Sequence, residues 1–191
     1  MRVIAINGSA RKEGNTFILL NLVLDELKGE GIETELISLA GNPIQGCIAC
    51  YQCSQNKNRR CAVEKDIVND CIAKMVEADG ILLGSPTYFS DVSAGMRALI
   101  ERSGTVARVN DYMLKRKVGA GVIAVRRAGA IPGFSSINLF LSYNQMIIPG
   151  SSYWNIGIGR DPGDVQKDAE GIQTMKTLGQ NMAWLLKKLH A

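Results

Sequence analysis

Extended and helical hydrophobic patterns alternate along the whole chain, and few architectures accept that alternation. Arg2–Ile6 is a short β-rich apolar run that breaks at Asn7-Gly8-Ser9, and Asn15–Lys28 then carries Phe17, Leu20, Leu24 and Leu27 at helical spacing. Glu33–Leu39 alternates as a second strand, Ile67–Val76 fits a helix, Gly80–Gly84 is a short buried strand, and Ala94–Arg102 fits another helix. Val118–Val125 is again β-rich, Ser135–Tyr143 reads as helix and Ser152–Ile158 as the last strand. A long closing helix is expected from Asp161-Pro162, a capping side chain followed by proline at the first helical position. Val165, Ala169, Ile172, Met175, Leu178, Met182, Leu185 and Leu189 step by three or four along it, and Lys187 and Lys188 suit its C-terminal dipole. Five strands alternating with five helices predict an α/β fold, a doubly wound parallel sheet forming one domain over residues 1–191, with ligands at the carboxyl ends of the strands.

Composition narrows the function classes. The 22 Lys and Arg exceed the 18 Asp and Glu by only 4 and are scattered, so nucleic acid is not expected as the main partner. The apolar start, Met1 to Ile6, is too short for a secretory signal, and a cytoplasmic location is expected. The one long uncharged stretch, Ala128–Gly159, is broken by Pro132, Asn138, Pro149, Asn155 and several Gly and Ser, and reads as a buried part of a soluble domain rather than a membrane span. In a reducing compartment, clustered thiols favour metal or redox chemistry over structural disulfides. The sole histidine, His190, is penultimate, and no acid/base dyad emerges, so no side chain is expected to be catalytic.

Two segments carry the chemistry. Between the first strand and first helix, Asn7 to Thr16 offers the side chains of Ser9, Asn15 and Thr16 with a cation on Arg11, a set suited to one terminal phosphate at a helix N-terminus. The segment lacks the dinucleotide and P-loop fingerprints, and Asn15 or Thr16 as an ordinary helix cap is the competing reading. The second segment is Gly41 to about residue 62, too long for an idle connection. Its Cys47, Cys50, Cys53 and Cys61 form C-x2-C-x2-C-x7-C, which suits a cubane iron–sulfur cluster, with tetrahedral zinc using the same ligand type. Lys57, Arg59 and Arg60 in the final gap are expected to lower the neighbouring thiol pKa values. Cys71 lies apart inside a predicted helix and reads as a small buried side chain.

Gly8-Ser9-x-Arg11-x3-Asn15-Thr16 after the first strand, with Gly84-Ser85-Pro86-Thr87-Tyr88-Phe89 after the third, resembles the flavodoxin-like NAD(P)H-dependent FMN reductase superfamily. The resemblance implies a flavodoxin-like five-stranded sheet and assigns the FMN phosphate to Ser9, Arg11, Asn15 and Thr16. It lays Pro86, Thr87, Tyr88 and Phe89 along the isoalloxazine, with backbone groups there bonding its polar edge. Ordinary packing is the alternative for Tyr88 and Phe89. Topology sets Ala124-Val125-Arg126-Arg127-Ala128-Gly129 beside that loop, where Ala124, Arg126, Arg127 and Gly129 would face the flavin or an incoming nicotinamide cofactor. The arginines could equally be solvated charges. With the cysteine motif after the second strand, nearly the whole chain resembles the iron-sulfur flavoprotein branch, in which Cys47, Cys50, Cys53 and Cys61 would ligate a [4Fe-4S] cluster.

The expected function is an FMN-dependent oxidoreductase and electron-transfer protein that couples two-electron flavin chemistry to one-electron transfer through the cluster. Ferredoxin, NAD(P)H or a quinone are the redox partners considered. A homodimer or homotetramer is implied by the family, and Ala128–Gly159 could hold its contact surface. Two alternatives remain: a cluster-free NAD(P)H:FMN or quinone reductase with the cysteines as a thiol or disulfide device, and a zinc-stabilised non-enzymatic module.

Overall fold

The computed structural model describes residues 1–191. Its strands are β1 (Arg2–Asn7), β2 (Glu33–Ser38), β3 (Gly80–Pro86), β4 (Val118–Val125) and β5 (Ile156–Ile158). They form one sheet in the order β2-β1-β3-β4-β5, every neighbouring pair parallel. This is the flavodoxin-like order, whose direction of progression reverses between β1 and β3. The helices are α1 (Asn15–Gly29), α2 (Gln52–Asn56), α3 (Val68–Glu77), α4 (Ala94–Val109), α5 (Ala130–Tyr143) and α6 (Ala169–Leu189).

Strand alternation builds two cores. Val3 and Ala5 of β1 and Leu82 of β3 turn toward Leu19, Leu20, Leu24 and Leu27 of α1 and Met175, Leu178, Met182 and Leu186 of α6. Ile4, Ile6, Ile81 and Leu83 turn the other way, against Cys71, Ile72 and Met75 of α3, Met96, Leu99 and Val106 of α4, and Ile137 and Leu141 of α5. Each of these large side chains contributes about 1.5–3 kcal/mol by leaving water, and together they fix which strand ends share an edge. The doubly wound parallel sheet is as the alternation implied, with the cysteine-rich insertion following β2.

Several boundaries differ from the sequence reading. The closing helix begins at Ala169, not at Asp161-Pro162. Gly163 sits in the left-handed region (φ +91°), which ends that turn, and one 3-10 turn over Asp164–Lys167 seats Val165 in the core. Asp168 is the true cap, accepting the Gly171 amide at 3.0 Å. Helix α5 starts at Ala130 rather than Ser135, because Pro132 lies in the first turn, where a missing N–H breaks no helical bond. Strand β5 is confined to three residues. Ahead of it the Asn155 side chain bonds the Gly121 carbonyl (3.0 Å). Helix α2, inside the insertion, has no apolar period that would announce it.

The uncharged stretch 128–159 is also more exposed than expected. Ile131, Leu139, Tyr143, Ile148, Tyr153, Trp154 and Ile158 all stand out into solvent. No helix is long and apolar enough to cross a membrane.

Candidate functional site

The turn out of β1 is set by its own side chains. Buried Asn7 accepts the Ser9 amide (3.0 Å) on Oδ1 and donates from Nδ2 to the Lys12 carbonyl (3.2 Å). Ser9 Oγ accepts the Arg11 amide (3.0 Å), and the Gly8 amide reaches the Gly84 carbonyl at 2.7 Å. Helix α1 then opens at Gly14 with no side-chain cap and no acidic residue in its first turn, so neither Asn15 nor Thr16 acts as cap. The amides of Asn15, Thr16 and Phe17 have no acceptor within the chain. Free N–H groups at a helix N-terminus attract an anion through both hydrogen bonding and the helix dipole.

Around this end lies a cleft of about 170 Å³, lined by Ser9, Arg11, Asn15, Thr16, Pro86, Thr87, Tyr88, Ala124, Arg126, Gly159 and Arg160. Three guanidinium groups and no carboxylate border it. Thr87 Oγ1 is buried and has no hydrogen-bond partner, an orphaned group of the kind a ligand satisfies. A terminal phosphate fits this set, and Pro86, Thr87 and Tyr88 continue the wall where a flat ring would lie.

The cleft also takes in Gly159 and Arg160, which lie in the terminal segment Gly157-x-Gly159-Arg160-Asp161-Pro162 that shares the family resemblance but drew no site role from the sequence. A Cβ at Gly159 would lie 2.6 Å from the Val165 amide nitrogen and 2.9 Å from Asn15 Nδ2, so this backbone must pass close to α1. Asn15 spends its side chain holding that approach: Nδ2 donates to the Asp161 carbonyl (3.0 Å), and Oδ1 accepts the Gly163 amide (2.9 Å).

Three expected residues stand apart from the cleft. Arg127 and Gly129 line a separate hollow with Trp154 and Ile158. Phe89 is fully exposed at the tip of a turn in which both Phe89 (φ +49°) and Ser90 (φ +60°) are left-handed. Such residues cost about 1–3 kcal/mol each and persist only where neighbours enforce them. Here Asp91 does so, accepting the Val92 amide (2.7 Å), the Ser136 hydroxyl (2.8 Å) and the Arg97 guanidinium. Burial pushes the Asp91 carboxyl up, but these donors outweigh it and hold the pKa below the usual value. The Thr87 and Tyr88 amides are already taken by the Ala124 and Asp91 carbonyls, so neither is free to bond a flavin edge.

The cysteine insertion meets the third and fourth turns of α4. Cys47, Cys50, Cys53 and Cys61 all line one cavity of about 210 Å³, walled also by Val63, Arg102 and Val106. Cys53 is buried, Cys61 half-buried, and Cys47 and Cys50 exposed. Ala49 (φ +51°) and Tyr51 (φ +57°), either side of Cys50, are left-handed, and the amides from Ile48 to Cys53 find no acceptor in the chain. Loops of this kind form concave amide nests that suit anionic centres, iron–sulfur groups among them. No three of the thiols converge closely enough to clasp a single ion. Thiolate is the ligand type of both tetrahedral zinc and an iron–sulfur group, and the four sulfurs around one cavity suit either donor chemistry.

The basic residues do not act as the sequence suggested. Lys57, Arg59 and Arg60 are exposed, and the Cys53 thiol is pushed up, first by burial and then by Cys61, Cys47 and Cys50 nearby. Thiols gathered without a cation repel in their ionised form, and a metal among them reverses that. Cys71 is fully buried in α3 with its pKa raised to about 12 by desolvation, the inert side chain expected. His190 lies near Asp79 (3.5 Å), at the amino edge of the sheet.

Arg102 was also missed. It is fully buried on α4, paired with buried Asp66, and donates to Cys61 Sγ (3.3 Å), the Gln45 carbonyl (3.1 Å) and the Val63 carbonyl (2.6 Å). Burial pushes the Asp66 carboxyl up, but Arg102 and the Val68 and Gln45 amides more than reverse that. The available signal was an arginine inside the apolar stripe Leu99, Arg102, Val106.

Comparison with known proteins bears on both sites. The chain is 39% identical to an iron-sulfur flavoprotein of Methanocaldococcus jannaschii, an alignment that covers 98% of each chain. It is 33% identical to an iron-sulfur flavoprotein of Archaeoglobus fulgidus, over 95% of this chain and 94% of that one. Among solved structures, RosB with bound 8-demethyl-8-formylriboflavin-5'-phosphate superposes with a TM-score of 0.76 at 18% identity, covering 100% of this chain and 80% of that one, a likeness of fold. The model of the NADPH-dependent FMN reductase family matches residues 1–161, a span that contains the anion cleft, the turn beside it and the cysteine cavity. The chain therefore belongs to the NADPH-dependent FMN reductase family and is a flavin-dependent oxidoreductase whose cofactor is FMN.

Proposed function

We propose that this protein is an electron-transfer flavoprotein that couples two-electron flavin chemistry to one-electron transfer through a [4Fe-4S] cluster. The observation that carries the reading is the gathering of all four motif cysteines around one cavity, on an insertion that leaves the same carboxyl edge of the sheet as the anion cleft. The relatives from Methanocaldococcus jannaschii and Archaeoglobus fulgidus are iron-sulfur flavoproteins, which supports it. Ser9, Arg11, Thr16 and the free amides of α1 would hold the FMN phosphate, while Asn15 fixes the loop opposite. Pro86, Thr87, Tyr88, Ala124 and Arg126 would border the ring. Phe89, Arg127 and Gly129 would meet only its outer rim or an incoming partner. Cys47, Cys50, Cys53 and Cys61 would ligate the cluster. When bound, FMN accepts a hydride and the cluster passes electrons singly, so NAD(P)H oxidised to NAD(P)+ releases one proton and reduces two one-electron carriers. No side chain acts as acid or base; the protein orients the flavin, supplies positive charge and holds the thiolates.

Ferredoxin, NAD(P)H and quinones are the candidate partners, and the exposed basic loop Lys57 to Arg60 beside the cysteine cavity favours an acidic one-electron carrier there. The exposed apolar residues of 128–159 support a homodimer or homotetramer. A second reading has one favouring observation: Cys47 and Cys50 are exposed and free, as a thiol device in a cluster-free NAD(P)H:FMN or quinone reductase requires.

The test is an absorption spectrum of anaerobically purified protein, with flavin, iron, zinc and acid-labile sulfide assayed on the same sample. Flavin with about four iron and four sulfide per chain is expected. Flavin without iron would overturn the cluster and leave the second reading.

A further inference from the structure

Arg102 heads the fully buried side chains of the molecule. Two of its donors clamp the stem of the cysteine insertion to α4: Nη1 reaches the Gln45 carbonyl and Asp66, and Nη2 the Val63 carbonyl. Nε is aimed elsewhere, at Cys61 Sγ, 3.3 Å away. No other side chain donates a hydrogen bond to the sulfur of any motif cysteine. Cys61 also has both its amide and its carbonyl held by one side chain. Asn69 accepts its amide (2.8 Å) and donates to its carbonyl (3.0 Å) and to that of Val63 (3.3 Å). One corner of the cysteine set is therefore fixed in position and in electrostatics, while Cys47 and Cys50 remain on exposed loop.

We infer that Arg102 is a positioning residue that holds Cys61 as a preset ligand and, through its charged N–H on that sulfur, raises the reduction potential of the iron–sulfur group in the cysteine cavity. The inference rests on the cluster reading above. One-electron reduction, from the flavin or from an external one-electron carrier, adds one negative charge that spreads onto the ligating sulfurs. A guanidinium N–H on one of them stabilises the reduced form more than the oxidised form. Asp66 opposes this effect in part, because its negative charge stands on the far side of the same guanidinium. Arg102 keeps its proton throughout, so the shift is electrostatic and requires no coupled proton transfer.

The two partners predict opposite signs, which separates tuning from mere structural support. Wild type, Arg102→Lys, Arg102→Gln and Asp66→Asn are purified anaerobically, assayed for flavin, iron and sulfide, and titrated potentiometrically with electron paramagnetic resonance following the cluster. Arg102→Gln is expected to lower the cluster potential, Arg102→Lys to lower it less, and Asp66→Asn to raise it, with the flavin potential moving less in each. Where Arg102→Gln fails to fold or load, the lysine variant and Asp66→Asn decide by the signs of their shifts. Equal potentials, or shifts of one sign in the arginine and aspartate variants, overturn the inference while leaving the cluster reading intact. Wild type without iron overturns both, and the iron assay distinguishes that failure from the first.

Discussion

Replacing Arg102 by methionine tests whether the buried pair holds the cysteine insertion in place. The substitution keeps the length of the side chain and removes every donor, leaving Asp66, whose side chain is 5% exposed, as an unpaired buried charge. The Gln45 and Val63 carbonyls lose their donors as well. Breaking one side of a buried pair costs about 3–5 kcal/mol. The Val68 and Gln45 amides still support Asp66 at 3.2 and 3.4 Å, which places the loss near the lower end, about 3 kcal/mol. At about 2–4 °C per kcal/mol for a domain of this size, Tm falls by roughly 6–12 °C, read by circular dichroism at fixed excess FMN. The double variant Arg102→Met with Asp66→Leu is expected to recover most of that loss, because it removes the stranded charge. Acidity supplies a sign check. In wild type the Asp66 pKa is lowered on folding, so its stabilisation is present above the unfolded carboxyl value and is lost as pH falls through the folded one. In Arg102→Met, burial is opposed only by the Val68 and Gln45 amides, so the Asp66 pKa lies above its wild-type value and the deficit is largest near neutrality and narrows on acidification. A Tm within about 3 °C of wild type, or a double variant no better than the single, would refute the reasoning.

The anion cleft makes a claim about one end of the flavin: Arg11→Ala is expected to weaken FMN roughly three- to tenfold while leaving riboflavin unchanged, measured by fluorescence quenching, and equal losses for both would place the phosphate elsewhere. Asn15→Ala removes two hydrogen bonds to the Asp161–Gly163 turn, a loss of about 2 kcal/mol expected as faster amide hydrogen exchange across residues 159–168 together with weaker FMN binding. Cys53→Ser is expected to abolish iron retention, whereas Cys71→Ser leaves iron content unchanged. In the native protein Cys71, with its thiol pushed up to about 12, should resist alkylation that modifies Cys47 and Cys50.

Much of the fold was legible because its signals are local and periodic. Leu20, Leu24 and Leu27 mark one face of α1, and the apolar runs at Arg2–Ile6 and Val118–Val125 admit little but strand. The closing helix was displaced because two cap signals, Asp161-Pro162 and Asp168, lie within one pattern. The choice between them turned on Gly163 adopting a left-handed conformation, which no periodicity reveals. The candidate site was legible to the extent that residues singled out by identity share a hollow: the four spaced cysteines line one cavity, and Ser9, Arg11 and Thr16 line another at the start of α1. It was illegible where chemistry depends on which way a chain turns. Arg127 and Arg126 are adjacent in sequence, yet they line different hollows because β4 has just ended and successive side chains diverge. Arg102 and Asn69 act on Cys61 across 41 and 8 residues, and nothing in the cysteine motif names them.

Helix α4 connects the two sites mechanically. At its amino end the Ser93 hydroxyl donates to the Gly8 carbonyl (2.6 Å) and the Ser93 amide to Ser85 Oγ (2.9 Å), so this turn braces both loops of the anion cleft. A Cβ on Gly8 would come within 2.9 Å of Met96, which shows how closely the helix is applied there. Farther along the same helix, Glu101 accepts the Cys47 amide (3.2 Å), Arg102 reaches Cys61, and Asn110 accepts the Arg59 amide (3.1 Å). Nine residues separate Ser93 from Arg102, a rise of roughly 14 Å. Because most contacts that orient the insertion come from α4 and its neighbour α3, the cysteine cavity cannot shift relative to the cleft without disturbing the helical core. That rigidity would suit the proposed electron exchange between the two sites, since any rearrangement of the protein would add to its barrier. The exposed basic residues Lys57 to Arg60 and the Phe89 turn stand at the rims, where a partner would meet them.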